Sequence, residues 1–420
     1  MIFKLNKNGE VKEYYSNGLI KFEGEYLKGF KIQGKGYNQN GTVIFELNKN
    51  RKGKEYYSNG KIKFEGEYIY EKKWNGKGYN KNGNVEFIIK YGKGYVKEYN
   101  EKDELIYEGE YINGEKNGKG KEYSYKGNLI FEGEYLNGKK WNGKITEFYS
   151  NGKINFIGEY INGLLIAKEY YKNGKLKFEG EYLNGEKNGK GKEFKYDGRL
   201  IFEGEYRDGK RWNGKGKEYD NLDNLVFNGV YILGLKNGKS REYNKNNLLF
   251  EGEYLNGEIE GKGIEYYSSG ELKFEGNYLK GERNGEGKEY YPNGKLKFEG
   301  EYRDGLKNGK GKAYSEKKQI EYEGEFLNDL ESGKGKKFYK NGQLKFEGEF
   351  LNGKENGKGK EYYSNDKLKF EGNYLNGRKN GKGYLYDSFG KLKFEGIYLD
   401  KEIKGKLYDK NDVFEFKGEY

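Results

Sequence analysis

The chain has 420 residues, of which 80 are basic and 68 acidic, giving a formal net charge of +12, with no cysteine and no histidine. That composition excludes disulfides and thiol chemistry and removes the commonest general bases, nucleophiles and metal ligands. No stretch approaches the ~18 apolar residues of a membrane-spanning helix, and Met1-Ile2-Phe3-Lys4-Leu5-Asn6 lacks the apolar core of a signal peptide.

One phrase recurs along the chain: aromatic, Glu, Gly, Glu, Tyr. In residues 1–106 its first aromatic falls at Phe3, Phe22, Phe45, Phe64 and Phe87, then at Tyr107, in alternating short and long steps of 19, 23, 19, 23 and 20. Here Phe45-Glu46-Leu47-Asn48-Lys49-Asn50 passes almost directly into Gly53-Lys54-Glu55-Tyr56-Tyr57, a trimmed hairpin. Residues 107–226 hold fuller units, two of them 25 long. Residues 227–420 are the most regular, with Phe250, Phe274, Phe298, Tyr322, Phe346, Phe370 and Phe394 each 24 apart. Phe227-Asn228-Gly229-Val230-Tyr231 is a worn copy. The whole is about 19 units, as in a repeat array. Length alone would suggest two or three domains, but no linker or composition shift interrupts the repeat, so 1–420 reads as one continuous array.

Within a unit, Phe178, Gly180 and Tyr182 share one parity while Glu179, Glu181 and Leu183 share the other, the alternation of a half-exposed strand. A second run follows, best seen as Gly285-Glu286-Gly287-Lys288-Glu289-Tyr290-Tyr291. Asn184-Gly185 and Asn188-Gly189 lie between the runs and Asn293-Gly294 closes the second; Asn-Gly is a strong signal for type I′ turns. Two strands and two turns per unit predict an antiparallel meander. Pro292, the only proline, falls in a turn. The predicted fold is all-β: an elongated, twisted and grooved single-sheet array of tandem antiparallel hairpins. About 38 strands spaced ~4.8 Å apart would extend on the order of 180 Å.

Glycine numbers 69, yet its positions are regular. A ring over a cross-strand glycine covers bare backbone, so the 45 Tyr, 25 Phe and 3 Trp supply the apolar material of the fold. The even period of 24 keeps those rings on one face, and units of odd length must absorb a residue in a loop or bulge. Charged residues make up 35% of the chain, with acids and bases interleaved in every unit. That reads as a cross-strand Glu/Lys ladder on the polar face rather than a basic patch. Phe416-Lys417-Gly418-Glu419-Tyr420 stops midway through a unit, so a bare terminal strand edge could pair with another chain.

Chemistry finds little purchase. Glu179 and Glu181 recur in nearly every unit and point to one solvated face, so no acid–base pair is singled out. Gly234-Leu235-Lys236-Asn237-Gly238-Lys239-Ser240 is one residue short of a phosphate loop, lacks a following helix, and matches the hairpin loops of its neighbours. Asp220-Asn221-Leu222-Asp223-Asn224 offers oxygens but no calcium-loop glycine or terminal glutamate. No enzyme activity, cofactor or metal is expected. Trp74, Trp141 and Trp212 each sit in Lys/Arg-Trp-Asn-Gly, 67 and 71 residues apart, so they should line one rim roughly 30 Å apart. They are the candidate partner-binding residues, since Trp flanked by cations suits a protein hot spot or a membrane interface. The alternative is that each closes its own loop.

The pattern aromatic-Glu-Gly-Glu-Tyr-x-x-Gly, then Asn-Gly-x-Gly, then Tyr-Tyr-x-Asn-Gly, resembles MORN repeats over essentially the whole chain. Tyr-Tyr-Pro-Asn-Gly-Lys-Leu-Lys-Phe-Glu-Gly-Glu-Tyr at 290–302 is similar to the bacterial variant found in YwqK-type antitoxins. The chain departs from the common pattern where Tyr replaces a frequent Trp and Asn-Gly replaces His-Gly. The resemblance implies stacked hairpins acting in protein interaction, dimerisation or binding to acidic phospholipid headgroups, with antitoxin roles assigned to bacterial variants. A non-catalytic scaffold for a protein partner is therefore the leading expectation. Peripheral binding to an acidic membrane through Lys-rich loops and the Trp rim is the alternative. Nucleic acid is disfavoured because Glu accompanies every Lys run, and a wall-sugar repeat would carry more Trp and an export signal. A cytoplasmic location follows from the same features, peripheral to a membrane in the second case.

Overall fold

The structure is a computed structural model and describes residues 3–5, 10–399, 402–409 and 412–419. Among the described residues there is no helix, and the strands run from β1 (Phe3–Leu5) to β37 (Val413–Glu419). Two compact units divide the chain, residues 1–210 and 211–420. In the first, β1 to β9 (Val85–Ile89) are consecutive neighbours in a nine-stranded sheet. A turn bridged at Lys90 and Lys93 leads into β10 (Gly94–Tyr99), and strands through β19 (Leu200–Arg207) continue the meander. In the second unit β20 (Lys210–Tyr219) to β37 follow in the same order. The predicted all-β array of tandem hairpins is what forms. Tyr420, named in the terminal-strand expectation, lies outside the described residues.

Two kinds of turn alternate. Asn184 (φ 52°) and Gly185 (φ 84°) join β17 (Leu176–Leu183) to β18 (Glu186–Phe194), and the left-handed conformation at both residues makes this the expected type I′ turn. The turn holding Pro292 is different. Tyr291 N–H donates to the Lys295 carbonyl and Gly294 N–H to the Tyr291 carbonyl, both at 2.8 Å. Only Gly294 has positive φ there, at 75°, as in a three-residue loop closed by a bulge glycine. A second correction concerns Asn188-Gly189. It is no turn; it lies inside β18, where Gly180 faces Gly191 but Tyr182 faces Lys187. The extra residues form a bulge with Gly189 at φ 80°. Sequence signals for turn and bulge coincide because both demand a left-handed residue.

The core is one side chain thick. Phe274 and Tyr278 on β25 (Leu272–Leu279) are buried, while Asn277 and Leu279 of the opposite parity are exposed. Phe274 lies flat over Gly276 and Gly287: a Cβ placed on Gly287 would come within 2.5 Å of its ring. Tyr278 and Tyr302 stand edge-on against the same ring, with centroids 5.7 and 5.2 Å away. The Arg283 guanidinium covers it at 4.0 Å. Floor, walls and roof therefore come from glycine backbone, tyrosine and a cation. The row is continuous from Phe250 and Tyr254 to Phe394 and Tyr398. Edge-on ring pairs contribute about 0.5–1.5 kcal/mol each beyond area burial. Repetition makes that small quantity large.

Candidate functional site

Which side chains remain for function depends on which the fold has already committed. Interleaved Glu and Lys suggested that all charges lie on the polar face, but one charged column lies over the rings. Glu265 on β24 (Glu258–Tyr266) stands opposite Phe274. Its carboxylate accepts from the Tyr278 hydroxyl at 2.7 Å and twice from the Arg283 guanidinium at 2.8 Å, with Lys273 at 3.0 Å. Burial opposes its charge, yet Arg283, Tyr278 and Lys273 prevail and hold the carboxyl down at about 2. The arrangement recurs: Tyr68 and Lys73 both bind Glu55 at 2.9 Å, and Lys140 reaches Glu122 at 2.8 Å.

In these pairs carboxylate and roof cation are eighteen residues apart, and two later repeats change both partners together. Lys337 and Glu355 form the pair with signs exchanged, at 3.4 Å. At Leu385 and Ile403 both partners are apolar and pack on the ring row. Other combinations are mismatched: Glu147 goes with Leu165, Glu242 with Ile259, and Ala313 with Glu331. Glu331 turns to Lys337 at 2.7 Å, yet burial prevails and raises its carboxyl. An ion pair over an aromatic ring is thus replaceable by its mirror or by hydrocarbon, as expected where desolvation offsets Coulomb attraction.

The opposite face is open. Here Glu and Lys form the predicted cross-strand ladder, with Lys312–Glu323 and Lys360–Glu371 both at 3.3 Å in the second unit and Lys192–Glu203 at 3.0 Å in the first. The first Tyr of a Tyr-Tyr anchors a ladder carboxylate: Tyr290 donates to Glu275 at 2.6 Å and Tyr362 to Glu347 at 2.7 Å. The second ties its repeat to the next, Tyr291 donating to the Tyr314 carbonyl at 2.8 Å. In the second unit this face is a trough of about 1240 Å³, floored by glycines and lined by residues from Lys215 to Lys334.

An apolar edge borders the trough. Leu255, Leu279, Leu327, Leu351 and Leu375, each just before a type I′ turn, are 45–52% exposed, as is Leu399. Sequence reading assigned the apolar material to the rings and overlooked this stripe; the signal was the aliphatic residue directly before the turn's two left-handed residues. In the first unit Ile157, Ile161 and Ile166 are likewise exposed, at 38%, 48% and 48%, and line a second stretch of trough.

Trp74, Trp141 and Trp212 are half-buried, each on the bulged strand of its repeat. Each carbonyl accepts the N–H of the glycine in the following turn: Gly92 at 2.7 Å, Gly163 at 2.8 Å and Gly234 at 2.8 Å. Each ring lies beside that same glycine. The following asparagine accepts the turn's other amide, from Tyr91, Asn162 and Leu233 to Asn75, Asn142 and Asn213 at 2.8–2.9 Å. The Trp-Asn pair therefore seats the next repeat's turn rather than its own.

The two weak motifs occupy hairpin geometry. Gly234 is a turn glycine, and 235–240 belongs to strand β22 (Leu235–Asn244). Asp220 accepts from Leu222 and Asn224 amides at 2.9 and 2.8 Å, closing a turn on itself. No cluster of three metal-ligating side chains occurs among the described residues.

No curated protein matches the chain. Two solved structures align with it: TcdB2-TccC3, at 10% identity over 97% of this chain and 25% of that one with a TM-score of 0.17, and the Photorhabdus luminescens Tc holotoxin pore, at 10% identity over 99% and 24% with a TM-score of 0.15. The chain spans about a quarter of those proteins' length. Family patterns are more telling. The MORN repeat matches residues 107–129, 178–198, 250–271, 298–317, 322–344, 346–367 and 370–388. The MORN repeat variant matches 7–28, 52–70, 141–162, 165–184 and 283–304. With these matches together covering more than half of its residues, the chain belongs to the MORN repeat family.

Proposed function

We propose that the protein is a non-catalytic scaffold that binds a protein partner on its open face. One observation carries this: the ring face is consumed by the fold, whereas the open face offers an exposed leucine edge beside an ordered ladder of charge. Regularly spaced aliphatic side chains beside polar groups suit a protein interface, where apolar anchors supply energy and the charged border sets register. Occlusion of a toxin would be one specific form of such binding. Trp74, Trp141 and Trp212 are further contacts through the part of each ring left exposed, but they also hold turns. Replacing each with Ala should therefore lower both partner capture and melting temperature. The test is capture from lysate followed by reconstitution with the purified partner. Leu279→Ser with Leu327→Ser should abolish binding without lowering the melting temperature appreciably, and unaltered binding would refute an open-face interface. Peripheral membrane binding is the second reading, supported by the net charge of +12 and the three tryptophans. Failure to sediment with anionic vesicles at low salt would remove it.

A further inference from the structure

In the second unit, the glutamates of the Glu-Gly-Glu strands mostly alternate across the trough with lysines of the Gly-x-Gly strands, Ile264, Glu286 and Tyr384 standing in lysine places. One strand breaks the rule at both positions. On β21 (Leu225–Ile232) the two trough-facing glutamates are replaced by Asn228 and Val230. The cations that would face them remain. Lys217 and Arg241 stand opposite Asn228 on the two neighbouring strands, and Lys215 stands opposite Val230. Lys239 lines the same trough. Arg241 is paired with Glu251 at 2.9 Å, whereas Lys215, Lys217 and Lys239 form no ion pair with a described residue. Other strands of this unit lose at most one of the two, the second at Asn277, Asn373 and Ile397 and the first at Lys417.

The missing carboxylates had defined partners. Elsewhere the second glutamate accepts the backbone N–H of the facing bulge, Lys119 to Glu110 at 3.1 Å and Lys310 to Glu301 at 3.3 Å. At Val230 no side-chain oxygen occupies that place. Alternate positions on a strand lie about 7 Å apart, so the gap is a pair of anion positions at that separation. Exposed Ile232 and Leu233 adjoin it and add apolar surface.

We propose that this gap is a docking site for an acidic peptide segment, which supplies two carboxylates in place of the two lost from β21. An extended segment with acidic residues at alternate positions has the matching spacing, and an apolar residue two places beyond the second acid falls over Ile232, which shares the parity of Asn228 and Val230. The proposal rests on the open face being a binding face and specifies the partner's chemistry there. Two carboxylates at fixed separation fit better than a diffuse negative surface, because the cations are arranged in two cross-strand rows.

The test uses the full chain and a fluorescent short peptide alternating glutamate with threonine, followed by anisotropy at low salt. Its glutamine counterpart and vesicles containing phosphatidylserine serve as comparisons. The glutamate peptide should bind roughly tenfold or more tightly than the glutamine peptide, and binding should weaken steeply with salt. Asn228→Glu with Val230→Glu installs the residues that other repeats carry and should abolish binding while the protein remains folded. Lys217→Gln with Lys239→Gln should weaken it independently. Equal binding by the Asn228→Glu, Val230→Glu protein overturns the proposal. So does indifference to glutamate versus glutamine. Capture of vesicles without the peptide would assign the site to lipid and also overturn it. If the peptide fails while leucine-edge variants still abolish partner capture, the scaffold reading stands and only the acidic site falls.

Discussion

At the scale of the residue, glycine and ring form one unit. Gly287 has room for hydrogen only, because Phe274 lies where its side chain would be. Gly287→Ala must displace that ring, which overpacking costs put at about 1–3 kcal/mol. Gly294→Ala meets no atom within 4 Å and is opposed only by its φ of 75°, a penalty of about 1 kcal/mol. Denaturant midpoints of the two variants should rank in that order. Glu331 offers a test of sign. Burial raises its carboxyl above 4.5 in the folded state, so folding favours the protonated form. Its stabilising contribution is complete below the unfolded value and lost as pH rises through the folded one. Glu331→Gln should therefore raise the melting temperature at pH 7, with the difference fading on acidification. Glu265 has the opposite sign: held at about 2, it stabilises above its ordinary value near 4.5 and loses that contribution as pH falls toward 2. A scan of melting temperature against pH for wild type, Glu331→Gln and Glu265→Gln separates the two.

At the scale of the element, the ion pairs above the rings act between repeats rather than within one. Glu355→Lys would set two cations together at Lys337, and Lys337→Glu would set carboxylates together with Glu355 and Glu331. Each single change should cost about 1–3 kcal/mol, and the double exchange should recover most of it. Additive losses in that cycle would mean the pair does not couple. Much of this element was legible in advance. Parity placed Phe178, Gly180 and Tyr182 on one face, and Asn184-Gly185 marked the turn. What could not be read was the bulge at Gly189, because turn and bulge share a residue preference. Nor could the charged column be read, because the parity of Glu289 follows the rings only once the bulge is known to precede it. The Trp-Asn pairs resisted for a related reason: Trp141 acts on Gly163, a contact set by strand pairing and not by neighbouring sequence.

At the scale of the whole molecule, the fold of each unit separates its two faces by task. Rings, glycines and buried ion pairs hold the sheet; the ladder, the leucine edge and the gap at Asn228 and Val230 remain for partners. The central claim is that the tyrosines belong to the first task. Ladder and ring-row hydroxyls donate to carboxylates, and burial together with that neighbouring charge pushes Tyr56, Tyr123, Tyr290 and Tyr314 up to about 12, with Tyr111 and Tyr182 higher still. A phenol raised in the folded state stabilises below its unfolded value of 10, and that stability is lost as pH rises above it. The most direct measurement is the ultraviolet titration of phenolate absorbance, with circular dichroism followed on the same samples. The account predicts that most of the 45 tyrosines stay neutral through pH 10 and ionise above it together with loss of the sheet signal. Reversible ionisation of the majority near pH 10, with the sheet intact, would contradict it.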